Sequence, residues 1–194
     1  MDVVGRGFQP GGRAAAPRPL DLVQDFVNTE IPEWARDDIA TPELLEEWLR
    51  ERGLLEEDEW IAAEDFVAAR ELRDALRGLA LLNTTAERPD DVTRGRIVSA
   101  LSAVELRAAL DLDGRPVPAP GGSGARRALS SIVAVVLEAQ AAGSWRRLKA
   151  CRKESCGWLF YDASRNCSSS WCSMSICGNR VKTAAYRRRR GAAT

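Results

Sequence analysis

The chain has 194 residues, 45% of them apolar and 29% charged, which is ordinary for a soluble globular protein with room for one sizeable core and a small appended module. It contains no histidine, which excludes Ser-His-Asp and Cys-His catalysis as usually built and any zinc site that needs imidazole. Its formal net charge is zero, but from Ser144 onward 12 Lys and Arg face two acids, Glu154 and Asp162, a net of +10 balanced by −10 over the remainder.

Such a split points to two modules, the basic one suited to an anion such as nucleic acid. The alternative is that the two halves neutralise each other within one molecule. No apolar run approaches the roughly 18 residues of a membrane span, and the N-terminus lacks the apolar core of a signal peptide. A cytoplasmic location is therefore expected, where thiols stay reduced and five cysteines suggest metal or redox chemistry.

Residues 1–18 are rich in Gly, Pro, Ala and Arg and read as a disordered arm. Leu22, Val23, Phe26 and Val27 then recur at helical spacing. Thr41-Pro42 reads as an N-cap followed by proline at the first helical position, with Leu44, Leu45, Trp48 and Leu49 as the apolar face and Gly53 as the stop. A long helix is expected from about Glu57 to Leu82, with Trp60, Ala63, Phe66, Val67, Ala69, Leu72, Leu76 and Leu79 in its buried stripe. Pro89-Asp90-Asp91 starts another helix through Ile97, Val98 and Leu101. Asp113-Gly114, flanked by alternating residues, signals a hairpin. A strongly apolar helix follows near 126–142, with Leu129, Ile132, Val133, Val136 and Leu137 inward.

The first 143 residues thus read as a mostly helical domain, 19–143, with a small β component. Nothing in them has catalytic spacing, and no enzymatic activity is expected. Asn28, Thr29 and Trp34 are candidates for lining a pocket, with capping and core packing as the alternative.

The C-terminal module, 144–194, is more specific. Cys151 and Cys156 form a C-x4-C pair, 15 residues intervene, and Cys172 and Cys177 form a second C-x4-C pair. Two close pairs separated by a hairpin-sized insert place four thiolates at the corners of a tetrahedron cheaply. Four thiolates close the coordination shell, so one structural zinc ion is expected, stabilising a segment too small for its own core. Strands are expected over 145–150 and 158–161, and a helix from Val181 to about Arg190. Knuckle, hairpin and helix in this order make a treble-clef-like finger, and the chain as a whole an α+β protein. Cys167 stands outside the scheme as a free thiol.

Phe160-Tyr161-Asp162-Ala163-Ser164-Arg165-Asn166, Trp171-Cys172-Ser173-Met174 and Cys177-Gly178-Asn179-Arg180, followed by Lys182 and Tyr186-Arg187, resemble the CGNR zinc-finger family. In the N-terminal part, Asp25-Phe26-Val27-Asn28-Thr29 and Ala69-Arg70-Glu71-Leu72-Arg73 resemble the ABATE domain that precedes such fingers, assigned to stress-induced transcription regulators. The resemblance implies zinc on the four cysteines, DNA binding by the finger, and an N-terminal domain that senses a small molecule or a protein partner. Arg165, Arg180, Lys182, Arg187, Arg188, Arg189 and Arg190 are then the expected phosphate contacts. Where the family carries several bases before the Trp-Cys pair, this chain has Cys167, Ser168, Ser169 and Ser170, which weakens phosphate contact there. A homodimer is the expected assembly, since single fingers read few bases. The competing reading is a zinc-stabilised protein-interaction or RNA-binding module.

Overall fold

The computed structural model describes residues 8–183. Its helices are α1 (Leu20–Val27), α2 (Pro42–Arg50), α3 (Ala63–Thr85), α4 (Asp91–Ser102) and α5 (Gly124–Ala141). Three antiparallel two-stranded ribbons join them: β1 (Glu30–Ile31) with β2 (Arg36–Asp37), β3 (Leu106–Leu110) with β4 (Pro116–Pro120), and β5 (Leu148–Ala150) with β6 (Leu159–Tyr161). The class is α+β, as the sequence implies.

The local signals that set these elements are visible in the backbone. The Thr41 side chain accepts the Leu44 N–H and Pro42 opens α2, while Gly53 adopts φ +64° just beyond it, a left-handed conformation that a side chain disfavours. Asp90 accepts the Thr93 N–H at 2.7 Å to open α4. At the β3–β4 turn the Asp111 carboxylate takes the N–H groups of Asp113 and Arg115, and Gly114 supplies φ +77°.

α3 lies at the centre, against α1, α4, α5 and β5. The main core joins Val23, Phe26 and Val27 of α1, Leu45 and Leu49 of α2, Leu72 and Leu76 of α3 and Leu129, Ile132 and Val136 of α5. It also takes in Leu148, Ala150 and Leu159 of the β5–β6 ribbon. The cysteine-bearing segment is therefore built onto the helical part through a common core, not tethered to it by a linker.

Several expectations are corrected. Residues 8–18 are not a disordered arm: Gln9, Pro10 and Ala16 are buried, and the segment lies across the cysteine module; residues 1–7 fall outside the described region. Trp60 is 76% exposed, because α3 starts only at Ala63. The acidic stretch before it serves α5 instead: Glu59 Oε1 accepts the Gly124 N–H at 2.8 Å and Oε2 pairs with Arg127 at 2.9 Å. That capping of a distant helix N-terminus outweighs one more turn of local helix. Val67 lies about 200° around the helix from buried Ala69 and faces solvent, and Val98 on α4 and Leu137 near the end of α5 are likewise exposed. Arg73 takes a place in the buried stripe of α3 with 1% of its side chain exposed.

Candidate metal centre and nucleic-acid interface

The first knuckle sits in the loop of the β5–β6 ribbon. Cys151 donates its N–H to the Trp158 carbonyl at 2.9 Å, closing the ribbon, and the N–H groups of Cys156 and Gly157 both reach the Lys153 carbonyl. Gly157 makes that turn with φ +59°. The second knuckle is the turn Met174–Gly178. Its start is capped by Ser173 Oγ, which accepts the Ile176 N–H, while Cys177 and Gly178 donate to the Ser173 carbonyl. Gly178 is required by packing: a Cβ there would stand 2.6 Å from the Met174 sulfur. Residues 179–183 continue as helix directly after the last cysteine.

All four thiols are buried and their sulfurs lie within 4.8 Å of one another. Cys156 and Cys172 Sγ are 3.7 Å apart, and Cys172 and Cys177 Sγ 3.5 Å. A regular ZnS4 tetrahedron with 2.3 Å bonds has edges of about 3.8 Å, whereas a disulfide needs about 2.05 Å. The donor set therefore fits one zinc ion and no disulfide. The protonation pattern agrees. Hydrogen bonding from the Cys156 thiol, then from Cys172, holds Cys151 far below the ordinary thiol range. Cys156 is pushed up to about 12, chiefly by its hydrogen bond to Cys151. Cys172 is raised by its hydrogen bonds to Cys151 and Cys156, and Cys177 by burial. Four thiolates this close repel one another, and a divalent cation is what makes them compatible.

A buried ion pair braces the insert between the knuckles. Lys149 Nζ lies 3.1 Å from Asp162 Oδ2, the two side chains 4% and 0% exposed. Lys149 also donates to the carbonyls of Cys167 and Ser169. Asp162 accepts from the Ser164 and Ser169 hydroxyls and both their N–H groups. Burial works against the Asp162 charge, but these donors prevail and hold its carboxyl well below the usual range. Ser169 is thus a structural donor. Cys167 adopts φ +47° and is only partly covered.

Of the expected phosphate contacts, Arg165, Arg180 and Lys182 are exposed. Arg165 stands on the insert, and the other two on the helical segment after Cys177. Arg187, Arg188, Arg189 and Arg190 lie outside the described residues. The +10 tally overstates the free charge of the module. Lys149 is neutralised inside, and Lys153 and Arg180 both pair with Glu33 of the helical part, Arg180 Nη1 at 3.0 Å.

The helical part grips the module through residues whose role the sequence left open. Asn28 makes a two-way bond with the Leu159 backbone, donating to its carbonyl at 2.9 Å and accepting its N–H at 2.8 Å, and so acts as a strand partner for β6. Trp34 packs against Trp158 at 5.7 Å, and Phe8 stands edge-on to Trp158 at 5.9 Å. Gln9 accepts the Trp158 indole N–H, and Arg13 donates to the carbonyls of Trp171 and Cys172 while lying over the Phe160 ring. Asn28 and Trp34 thus serve an internal interface, and Thr29 receives a bond from Arg73.

Two family models match, end to end. The first, ABATE, described as "Putative stress-induced transcription regulator", covers residues 20–146, and the second, the CGNR zinc finger, covers residues 147–190. The chain belongs to the ABATE family. No curated protein matches it. Within the ABATE match, Asn28 bonds the β6 strand of the CGNR finger, and Arg73 lies buried behind it against Thr29 and Asp37. The CGNR signature itself contributes the last zinc ligand, the glycine that admits Met174, and Arg180. Among the described residues no helix is long and apolar enough to cross a membrane.

Proposed function

We propose that this ABATE protein is a DNA-binding transcription regulator whose zinc-held finger and basic C-terminal segment contact the DNA backbone, while the N-terminal domain senses a small molecule or protein partner. The observation that carries this reading is the placement of Arg165 on the insert and of Arg180 and Lys182 on the helical segment after Cys177, all three exposed beside a closed four-cysteine centre. A metal at that position stiffens the segment and leaves the bases pointing outward for phosphates. A closed shell gives substrate no open coordination position, so the reading is non-enzymatic. A homodimer extends the few bases one finger can reach.

The competing reading, a protein-interaction module, draws support from Met174 and Ile176, apolar and exposed on the second knuckle. The two are separated by substitution. Arg165→Ala and Lys182→Ala should each weaken binding to duplex DNA equally for unrelated sequences and lower the slope of log affinity against log salt by about one, as loss of a phosphate contact does. Unchanged affinity in both variants removes this face from the DNA interface and leaves Met174 and Ile176 as the docking surface for a protein.

A further inference from the structure

Glu33 sits at the tip of the β1–β2 ribbon, in the Pro32–Trp34 turn, and it is the helical part's acid on the finger's cationic edge. Its Oε1 contacts both Lys153 Nζ, in the first knuckle, and Arg180 Nη1, just after the last zinc ligand. One carboxylate oxygen therefore bridges two cations from opposite ends of the finger's sequence, 27 positions apart. The zinc centre brings them together, since Lys153 lies between Cys151 and Cys156 and Arg180 three residues beyond Cys177. Glu33 and Lys153 are each about one-fifth exposed, whereas Arg180 remains 63% exposed. The bridge thus stands at the rim of the finger, open to solvent on the arginine side.

The ribbon that delivers Glu33 is anchored independently of that contact. Arg73 holds Asp37, Arg77 holds Glu30 and its carbonyl, and Trp34 rests on Trp158. A carboxylate oxygen between an ammonium and a guanidinium is the arrangement that a phosphate oxygen takes between the same two groups.

We propose that Lys153 and Arg180 form a single phosphate subsite of the finger, and that Glu33 fills it when no nucleic acid is bound, so that the ABATE domain competes with the DNA backbone for the finger. This deepens the DNA-binding reading and rests on it. It adds Lys153 to the contact set and makes the seating of the β1–β2 ribbon the quantity through which an event in the N-terminal domain changes DNA affinity. Apparent affinity is lowered by the fraction of molecules with the subsite occupied by Glu33, and removing the carboxylate restores it.

The test uses the zinc-loaded full chain and a fluorescein-labelled random duplex, over a salt series, with melting temperature and zinc content measured on every variant. Glu33→Gln should bind about fivefold tighter or more, with a steeper salt dependence by about one phosphate contact. Adding Lys153→Ala to that background should return the slope to its starting value. Glu33→Asp keeps the charge but withdraws it by a methylene, and should fall between the parent and Glu33→Gln; it keeps the comparison open should the glutamine variant melt early. Parent protein that binds, with Glu33→Gln and Glu33→Asp binding equally well or more weakly, overturns the competition and makes Glu33 a positioning residue for Arg180. Failure of both parent and Glu33→Gln to bind at low salt instead overturns the DNA reading itself, and the subsite with it.

Discussion

Arg73 is the residue whose burial demands the most of its neighbours. Its side chain is 1% exposed, and its guanidinium reaches Asp37 by two bonds at 2.6 and 3.0 Å and the Thr29 hydroxyl at 3.2 Å. Asp37 retains 21% exposure, so Arg73→Ala leaves a carboxylate only partly uncompensated, at the lower end of the cost of breaking a buried pair. A loss of about 3 kcal/mol is expected, read from the urea midpoint. Burial raises the Asp37 pKa, but the bond and charge of Arg73 outweigh it and leave the carboxyl below its ordinary value of 3.8. Its folded pKa being depressed, this contribution is fully present above 3.8 and drains as the pH falls below that value. Asp162 follows the same rule with Lys149, Ser164 and Ser169 as its donors. Arg73→Ala should therefore flatten the parent's loss of stability in that acid window, and an unchanged acid limb would show that Asp37 draws nothing from Arg73.

Elements are where the sequence was readable and where it stopped being so. Thr41, Asp90 and Asp113-Gly114 announce their helix starts and turn because caps and tight turns are made by residues within four positions of one another. The zinc ligands were legible for a related reason: each C-x4-C pair is local, and only one short insert has to fold to join them. Contacts between distant segments leave no such trace. Nothing near Lys149 marks it as a buried partner of Asp162 rather than a surface base, and nothing near Glu59 indicates that it caps a helix 65 residues away. The Gly- and Pro-rich stretch before α1 carries a composition that suits disorder, yet Gln9 and Arg13 are ordered by Trp158 and the carbonyls of Trp171 and Cys172.

The join between α1 and β6 can be tested directly. Asn28→Ala orphans the Leu159 N–H, while Gln24 still reaches the Leu159 carbonyl at 3.2 Å. The expected cost is about 2 kcal/mol, checked by denaturant unfolding of the full chain. A change within a few tenths would mean that water replaces the side chain at β6.

For the molecule as a whole, the shared core sets the cooperativity. Leu148, Ala150 and Leu159 belong to the same apolar cluster as the helices, while Cys151, Cys156, Cys172 and Cys177 cluster with Ile31, Trp158 and Phe160 immediately beside it. Zinc removal should therefore lower the melting temperature of the entire chain in one transition, rather than melt a finger and leave the helical part unchanged; calorimetry with and without chelator distinguishes the two. Zinc affinity should rise with pH across neutrality, because thiols held in the protonated form must release protons to bind the metal, and proton release measured on titration with zinc checks it.

The most direct test of the account is the salt dependence of duplex DNA binding by the zinc-loaded full chain, measured by fluorescence anisotropy and repeated after chelation. Affinity that falls steeply with salt and disappears with the metal is the predicted result, since the contacts are phosphate contacts on a metal-fixed scaffold. Absence of binding at low salt with one zinc confirmed per chain would contradict it, and would leave the exposed knuckle as a site for protein.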